Sequence, residues 1–278
     1  MSINCVRIFP YFPLTETEEM HPELFSIGDF TIHTYGFMIM LGATLGFFYM
    51  SYTVKKDLGI DRDKIQNLAI LVIFSAFIGG KLFFYLEDPG YYFSSWANMK
   101  RNFRTGFVFY GSLLFAIPII VWYFRSEKWP LWPLMDRLAI TACIIHGLGR
   151  IGCFFAGCCH GIPTDLPWGV TFTDPVSQAE PLHTPLHPTQ LYSAVLIFTI
   201  LIILFMFKRH KRFEGQLFFI YIILYAFGRG IIEIVRGDEE RGYIIDGVLS
   251  HSQFISLGVI AVTIWMYLRF KKKASFKK

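Results

Sequence analysis

The sequence predicts an all-α, polytopic membrane protein of about seven transmembrane helices, and three observations carry that prediction. Charged residues are only 17% of the 278, against about 25% in soluble domains. The apolar and aromatic class reaches 54%, and mean hydropathy is +0.44. The apolar residues also gather into stretches of about 20, the length a helix needs to cross a hydrocarbon layer of about 30 Å. So few charges could not cover a soluble surface. The modest net charge of +5, with 30 Phe and no basic low-complexity tract, argues against nucleic-acid binding.

Seven spans follow in order: Ile32–Val54, Ile65–Leu86, Phe107–Phe124, Leu134–Phe155, His187–Phe207, Gln216–Val235 and His251–Leu268. The fourth and sixth contain charges. The first thirty residues are acidic and lack an apolar core, so no cleavable signal peptide is expected. Cys5 follows no hydrophobic stretch and reads as an ordinary thiol. The whole chain, 1–278, reads as a single membrane domain without an internal repeat or nucleotide-binding loop. The segments sharing the C-terminus's side carry sixteen Lys and Arg, and the opposite segments six. By the positive-inside rule the N-terminus then faces outward and the C-terminus the cytoplasm. The Trp129–Pro133 stretch reads as an interfacial aromatic anchor.

Six charges fall inside spans: Lys81, Asp136, Arg137, Arg150, Arg229 and Glu233. A charge at that depth is costly and faces a partner or a polar cavity. In the fourth span His146, Arg150 and Cys153 recur at helical spacing and share one face. In the sixth, Tyr225, Arg229, Glu233 and Arg236 do the same. Arg229 and Glu233 stand four apart, so a self-neutralising ion pair is one reading. The surplus of arginine points to an anionic ligand, and a lipid phosphate is the anion available there. A guanidinium fork matches phosphate oxygens and stays charged.

His146–Gly161 is the densest segment, with glycines at 147, 149, 152, 157 and 161. They permit close helix approach or backbone contact with a ligand. Cys153, Cys158, Cys159 and His160 leave several readings open: structural thiols, a disulfide, a metal site, or a catalytic thiol. The spacing is not a standard zinc pattern, and no metal or cofactor is expected.

With these residues in view, the chain resembles the prolipoprotein diacylglyceryl transferase family. Tyr35-Gly36, Gly79-Gly80-Lys81 with Tyr85, and Asp136 are similar to family features. So are Gly149-Arg150-Ile151-Gly152-Cys153-Phe154, the His187–Tyr192 run and the Tyr225/Arg229/Glu233/Arg236 series. The resemblance implies a multi-pass enzyme of the bacterial cytoplasmic membrane. Such an enzyme moves the diacylglyceryl group of phosphatidylglycerol to the lipobox cysteine in the signal peptide of a prolipoprotein. A thioether forms and glycerol phosphate leaves. Arg229 and Glu233 are read with it as catalytic residues, and His146 and Tyr110 as catalytic candidates from this sequence's own pattern. Arg150, Tyr35, Gly149, Gly152, Arg236, His187, Gln190 and Tyr225 would bind substrate, beside the surrounding membrane lipid. The sequence departs from the family in three places. Tyr110-Gly111-Ser112 stands where the family has His-Gly-Gly, Cys153 where it has Asn, and Cys158 where it has an acidic residue. His146 is the preferred substitute base and His160 the second. These departures motivate two rival readings: a paralogue with another acceptor, and a phospholipid-binding protein without turnover.

Overall fold

The computed structural model describes residues 22–27, 30–104, 106–236, 243–245 and 249–275. Cys5 and the last lysines lie outside these. The helices are α1 (Thr34–Leu58), α2 (Arg62–Glu87), α3 (Pro89–Tyr92), α4 (Trp96–Arg101), α5 (Phe109–Ser126), α6 (Leu131–Ala156), α7 (Thr189–Lys208), α8 (Gln216–Ile232) and α9 (His251–Ser275). Three antiparallel two-stranded ladders join them: β1 (Glu23–Ile27) with β2 (Phe30–His33), β3 (Val170–Thr171) with β4 (Pro185–Leu186), and β5 (Tyr243–Ile245) with β6 (Leu249–Ser250).

Among the described residues, six helical runs are long and apolar enough to span a membrane: α1, α2, α6, α7, α9 and Gln216–Val235, which contains α8. The expected third span is α5, with 18 residues and Pro118 inside it. At about 1.5 Å per residue it reaches about 27 Å, just short of a full hydrocarbon layer. Gly106, at φ 64°, and the non-helical residues after it delay its start.

The chain divides into two compact units. One holds Phe47–Arg137; the other joins Met1–Gly46 to Leu138–Lys278. In the first, α2 and α5 meet through a reciprocal glycine contact. A Cβ on Gly79 would strike the carbonyl oxygen of Gly111, and a Cβ on Gly111 that of Gly79. The neighbouring Lys81 donates from Nζ to the carbonyl of Gly106 at 2.8 Å and lies 5.2 Å over the Phe84 ring. Tyr85 donates to the Met99 carbonyl at 3.1 Å. The Gly-Gly-Lys run thus anchors the connection leading into α5. Arg137 pairs with Asp57 at 2.9 Å and donates to the Pro133 carbonyl at 2.6 Å. Trp129, of the stretch read as an interfacial anchor, is partly buried. It packs against a core of Met50, Val54, Ile65, Leu68, Tyr123, Phe124 and Leu134, its ring 5.2 Å from that of Tyr123.

In the larger unit, small residues again set the helix approaches. Gly42 and Gly46 of α1 face Ile145 and Thr141 of α6, where a Cβ would sit 2.9–3.1 Å from their atoms. Gly147 lies under the Phe198 ring of α7, and Gly228 of α8 under Leu196. The segment between α6 and α7 forms a small core of its own, from Val170, Phe172, Ala179 and Leu186 with Phe154 and Leu182 packed on it.

Candidate active site

The two polar stripes of the larger unit meet. Arg150 donates from Nε to His146 Nε2 at 3.1 Å, one helical turn apart on α6. That bond places the neutral imidazole's proton on Nδ1. The His146 ring stands edge-on to Tyr225 of α8, centroids 5.3 Å apart. One turn beyond Tyr225, Arg229 makes an ion-pair contact with Glu233, the self-neutralising pair that the spacing allowed. The contact is not aligned as a hydrogen bond, which leaves Arg229 Nη1 and Glu233 Oε2 buried without a hydrogen-bond partner among the described residues. No carboxylate is paired with Arg150 among the described residues, so the cluster keeps a net positive charge.

Arg236 departs from the predicted helical face. The α-helix ends at Ile232, Glu233–Val235 tighten into a 3₁₀ turn, and Arg236 is extended at φ −93° and ψ 131°. Its backbone instead pairs with Gly161 across an isolated bridge. Gly161 donates to the His187 carbonyl at 2.8 Å, Ile162 to Val235 at 3.1 Å, and His187 back to Ile162 at 3.0 Å. A Cβ on Gly161 would collide with the Val235 carbonyl, so only glycine permits this seam. The end of α8, the turn after α6 and the residues before α7 are thereby stitched together.

Three cysteines lie at that seam. The Sγ atoms of Cys153, Cys158 and Cys159 are all within 4.8 Å of one another. They are free thiols, as is buried Cys143. Gly157 and Cys159 have φ of 75° and 61°, a left-handed conformation that L residues rarely adopt. Hydrogen bonds with the Cys153 and Cys158 thiols, and then the Arg236 and Arg150 guanidiniums, pull the Cys159 thiol well below the ordinary range. Hydrogen bonding to Cys153 and Cys159 pushes Cys158 the other way.

The remaining predicted residues fall around this centre. Gly152 packs against α1, where a Cβ would meet Tyr35 Cα at 3.2 Å and Met38 Cβ at 3.1 Å. Tyr35 itself is 42% exposed and within electrostatic reach of Arg150 and the three cysteines. Gly149 differs from Gly152, because a Cβ there would meet nothing within 4 Å. His187 is buried, with Nδ1 3.2 Å from the Tyr192 hydroxyl, which accepts from Trp168 at 2.8 Å. Gln190, fully buried, donates to the Cys158 carbonyl at 2.7 Å. Tyr110 lies in the other unit, in the first turn of α5, and is 74% exposed. Neither histidine considered as a base offers a free nitrogen lone pair. His146 accepts from Arg150, and His160 contacts the Gly161 carbonyl through Nδ1 while Nε2 accepts from Glu180.

Thr189 belongs to the site without having been expected there, and it donates to the Cys159 carbonyl at 2.6 Å beside Gln190. Its signal was present in the sequence: Thr189 and Gln190 are polar residues opening an otherwise apolar helix.

A profile of the prolipoprotein diacylglyceryl transferase family matches residues 22–269. The chain belongs to that family. Among relatives, it is 36% identical over 256 residues to a phosphatidylglycerol–prolipoprotein diacylglyceryl transferase of Clostridium tetani, covering 91% of this chain and 100% of that protein. A protein of the same name, numbered 2, from Clostridium perfringens is 33% identical, over 85% and 90% of the two chains. One from Clostridioides difficile is 31% identical, over 90% and 96%. The matched residues include Tyr110 and the cysteine-bearing seam.

Proposed function

We propose that the protein transfers the diacylglyceryl group of phosphatidylglycerol to the lipobox cysteine of a prolipoprotein, at the outward side of a bacterial cytoplasmic membrane. The observation that carries the reading is Arg150. It is an arginine with no carboxylate partner among the described residues, oriented by His146, whose ring rests on Tyr225 of the second polar stripe.

The chemistry asks for fixed positive charge where a phosphate leaves. A preorganised donor aimed at developing charge needs no rearrangement when the bond breaks. Arg150 supplies that charge, and its Nη atoms extend beyond the Nε that His146 holds. Arg229 supplies the second guanidinium, with Glu233 fixing its direction. A phosphate oxygen would compete with that carboxylate for Arg229 Nη1. His146 and Glu233 are therefore positioning residues for the two arginines. Arg236 adds charge at the seam, and half-exposed Tyr35 with the unfilled side of Gly149 leaves room for a glycerol head group. The excess of Lys and Arg on the C-terminal side supports the outward placement of this end of α6.

The test is transfer in a defined system: purified protein, phosphatidylglycerol vesicles with labelled acyl chains, and a lipobox peptide. Label should appear on the peptide in step with release of glycerol phosphate, and a Cys→Ser peptide should take none. Stoichiometric lipid binding with no release would mean a lipid-binding protein instead. Release without label on the peptide would mean another acceptor.

A further inference from the structure

We infer that Cys153, Cys158 and Cys159 form a binding site for a thiophilic divalent cation, Zn2+ by preference, whose fourth coordination position receives the acceptor thiol. The inference deepens the transferase reading and rests on it.

The geometry begins with the sulfurs. Zinc–thiolate bonds of about 2.3 Å set ligand sulfurs about 3.8 Å apart in a tetrahedron. The three Sγ atoms already lie within 4.8 Å of one another, so less than about 1 Å of contraction closes the site. Adjacent cysteines rarely reach one ion, because consecutive side chains normally diverge. Here the left-handed backbone at Gly157 and Cys159 brackets Cys158 and folds both side chains toward Cys153. The turn does not hold that shape unaided. Thr189 and Gln190, 2% and 0% exposed at the start of α7, clamp the Cys159 and Cys158 carbonyls at 2.6 and 2.7 Å. Such anchoring of ligand-bearing backbone is what a preorganised metal site requires.

Charge and ligand count fit as well. Three thiolates with one Zn2+ carry a net charge of −1, and Arg150 and Arg236 act electrostatically on Cys159 from the same neighbourhood. His160, next in sequence, would be the obvious fourth ligand, but both its ring nitrogens are engaged by Gly161 and Glu180. Three protein ligands with one open position is the arrangement of a catalytic zinc, and a structural zinc fills all four.

The open position answers a need of the reaction. A thiol with an ordinary pKa of about 8.5 is mostly protonated at neutral pH, and His146 Nε2 and both ring nitrogens of His160 are already engaged. A thiol that binds zinc gives up its proton on coordination. In the step, the acceptor R–SH replaces water on Zn2+ and its proton passes to solvent. A sulfur electron pair then attacks the glyceryl carbon attached to the phosphate oxygen. The C–S bond forms as the C–O bond breaks, and that bond's electrons leave with glycerol phosphate toward Arg150 and Arg229. The product thioether is neutral and a weak ligand, so water returns to the metal, which stays +2 throughout.

The experiment measures metal and transfer separately on the purified full chain. Metal analysis after exposure to Zn2+ and removal of excess should give one Zn2+ per chain. Co2+ in its place should give sulfur-to-metal absorption that changes on adding a lipobox peptide and stays fixed with its Cys→Ser form. Cys153→Ser, Cys158→Ser and Cys159→Ser should each lose the bound metal at unchanged Tm in metal-free buffer, and Cys143→Ser should keep it. Should any of the three fail to fold, the Co2+ spectrum of the unaltered protein still decides. Three titratable thiols with no metal retained, or a disulfide among them, would overturn the site and leave the transferase reading standing. A bound metal whose Co2+ spectrum ignores the peptide would overturn the thiol-binding role. Metal binding and a peptide response without any lipid transfer would overturn the transferase reading and not the site.

Discussion

The two units treat intramembrane charge in opposite ways. In Phe47–Arg137, each buried charge with described contacts is consumed by structure. Lys81 fastens the chain before α5, and Arg137 is tied to Asp57 and to a carbonyl of its own helix. In the larger unit, Arg150 is held only by a neutral imidazole, and Arg229 faces Glu233 in a contact that hydrogen bonding does not complete. Both units contain arginine inside apolar helices, so hydropathy alone cannot distinguish them. Arg150 differs from Arg137 in having no carboxylate partner among the described residues.

That contrast can be broken by substitution. Arg150→Ala should reduce kcat/KM for diacylglyceryl transfer by about 10²- to 10³-fold, the usual loss for one donor aimed at developing charge, with Tm in detergent almost unchanged. A large fall in Tm would make Arg150 a structural residue like Arg137. Arg137→Ala should show the converse, losing about 1–2 kcal/mol of stability because Asp57 is left half-buried without its partner. Its transfer rate at a permissive temperature should stay within about threefold of the parent, as a residue acting only through stability; a hundredfold loss would draw Arg137 into the reaction. The smallest effect is expected at Tyr110→Phe, below about threefold, because the side chain is 74% exposed and a base must lie within hydrogen-bond reach of the proton it takes. A loss on the scale of Arg150→Ala would reinstate Tyr110 as the catalytic base.

The membrane class and most span boundaries were legible in the sequence, because a chain folded in water rarely carries apolar runs of bilayer length one after another. The spacing also placed His146, Arg150, Tyr225, Arg229 and Glu233 in two stripes, and the structure brings these together at the His146–Tyr225 contact. Arg236 escaped it because the change from α to 3₁₀ after Ile232 has no signature in a pattern of spacings. The cysteine geometry escaped it for a similar reason. A rule that neighbouring cysteines diverge assumes ordinary backbone, and the left-handed angle at Cys159 is imposed from α7, thirty residues away. The later start of the third span was not legible, because the Gly106 conformation leaves no mark in hydropathy.

Gly149 supplies a steric gauge for the working unit. A methyl group there would touch no neighbour within 4 Å, so alanine leaves protein packing intact. Alanine should even firm the helix, by up to about 1 kcal/mol. A graded series through Ala, Val and Leu would then act as a caliper on the bound lipid. If the proposed lipid site is right, the size at which KM begins to rise would report how closely the head group passes the α6 backbone.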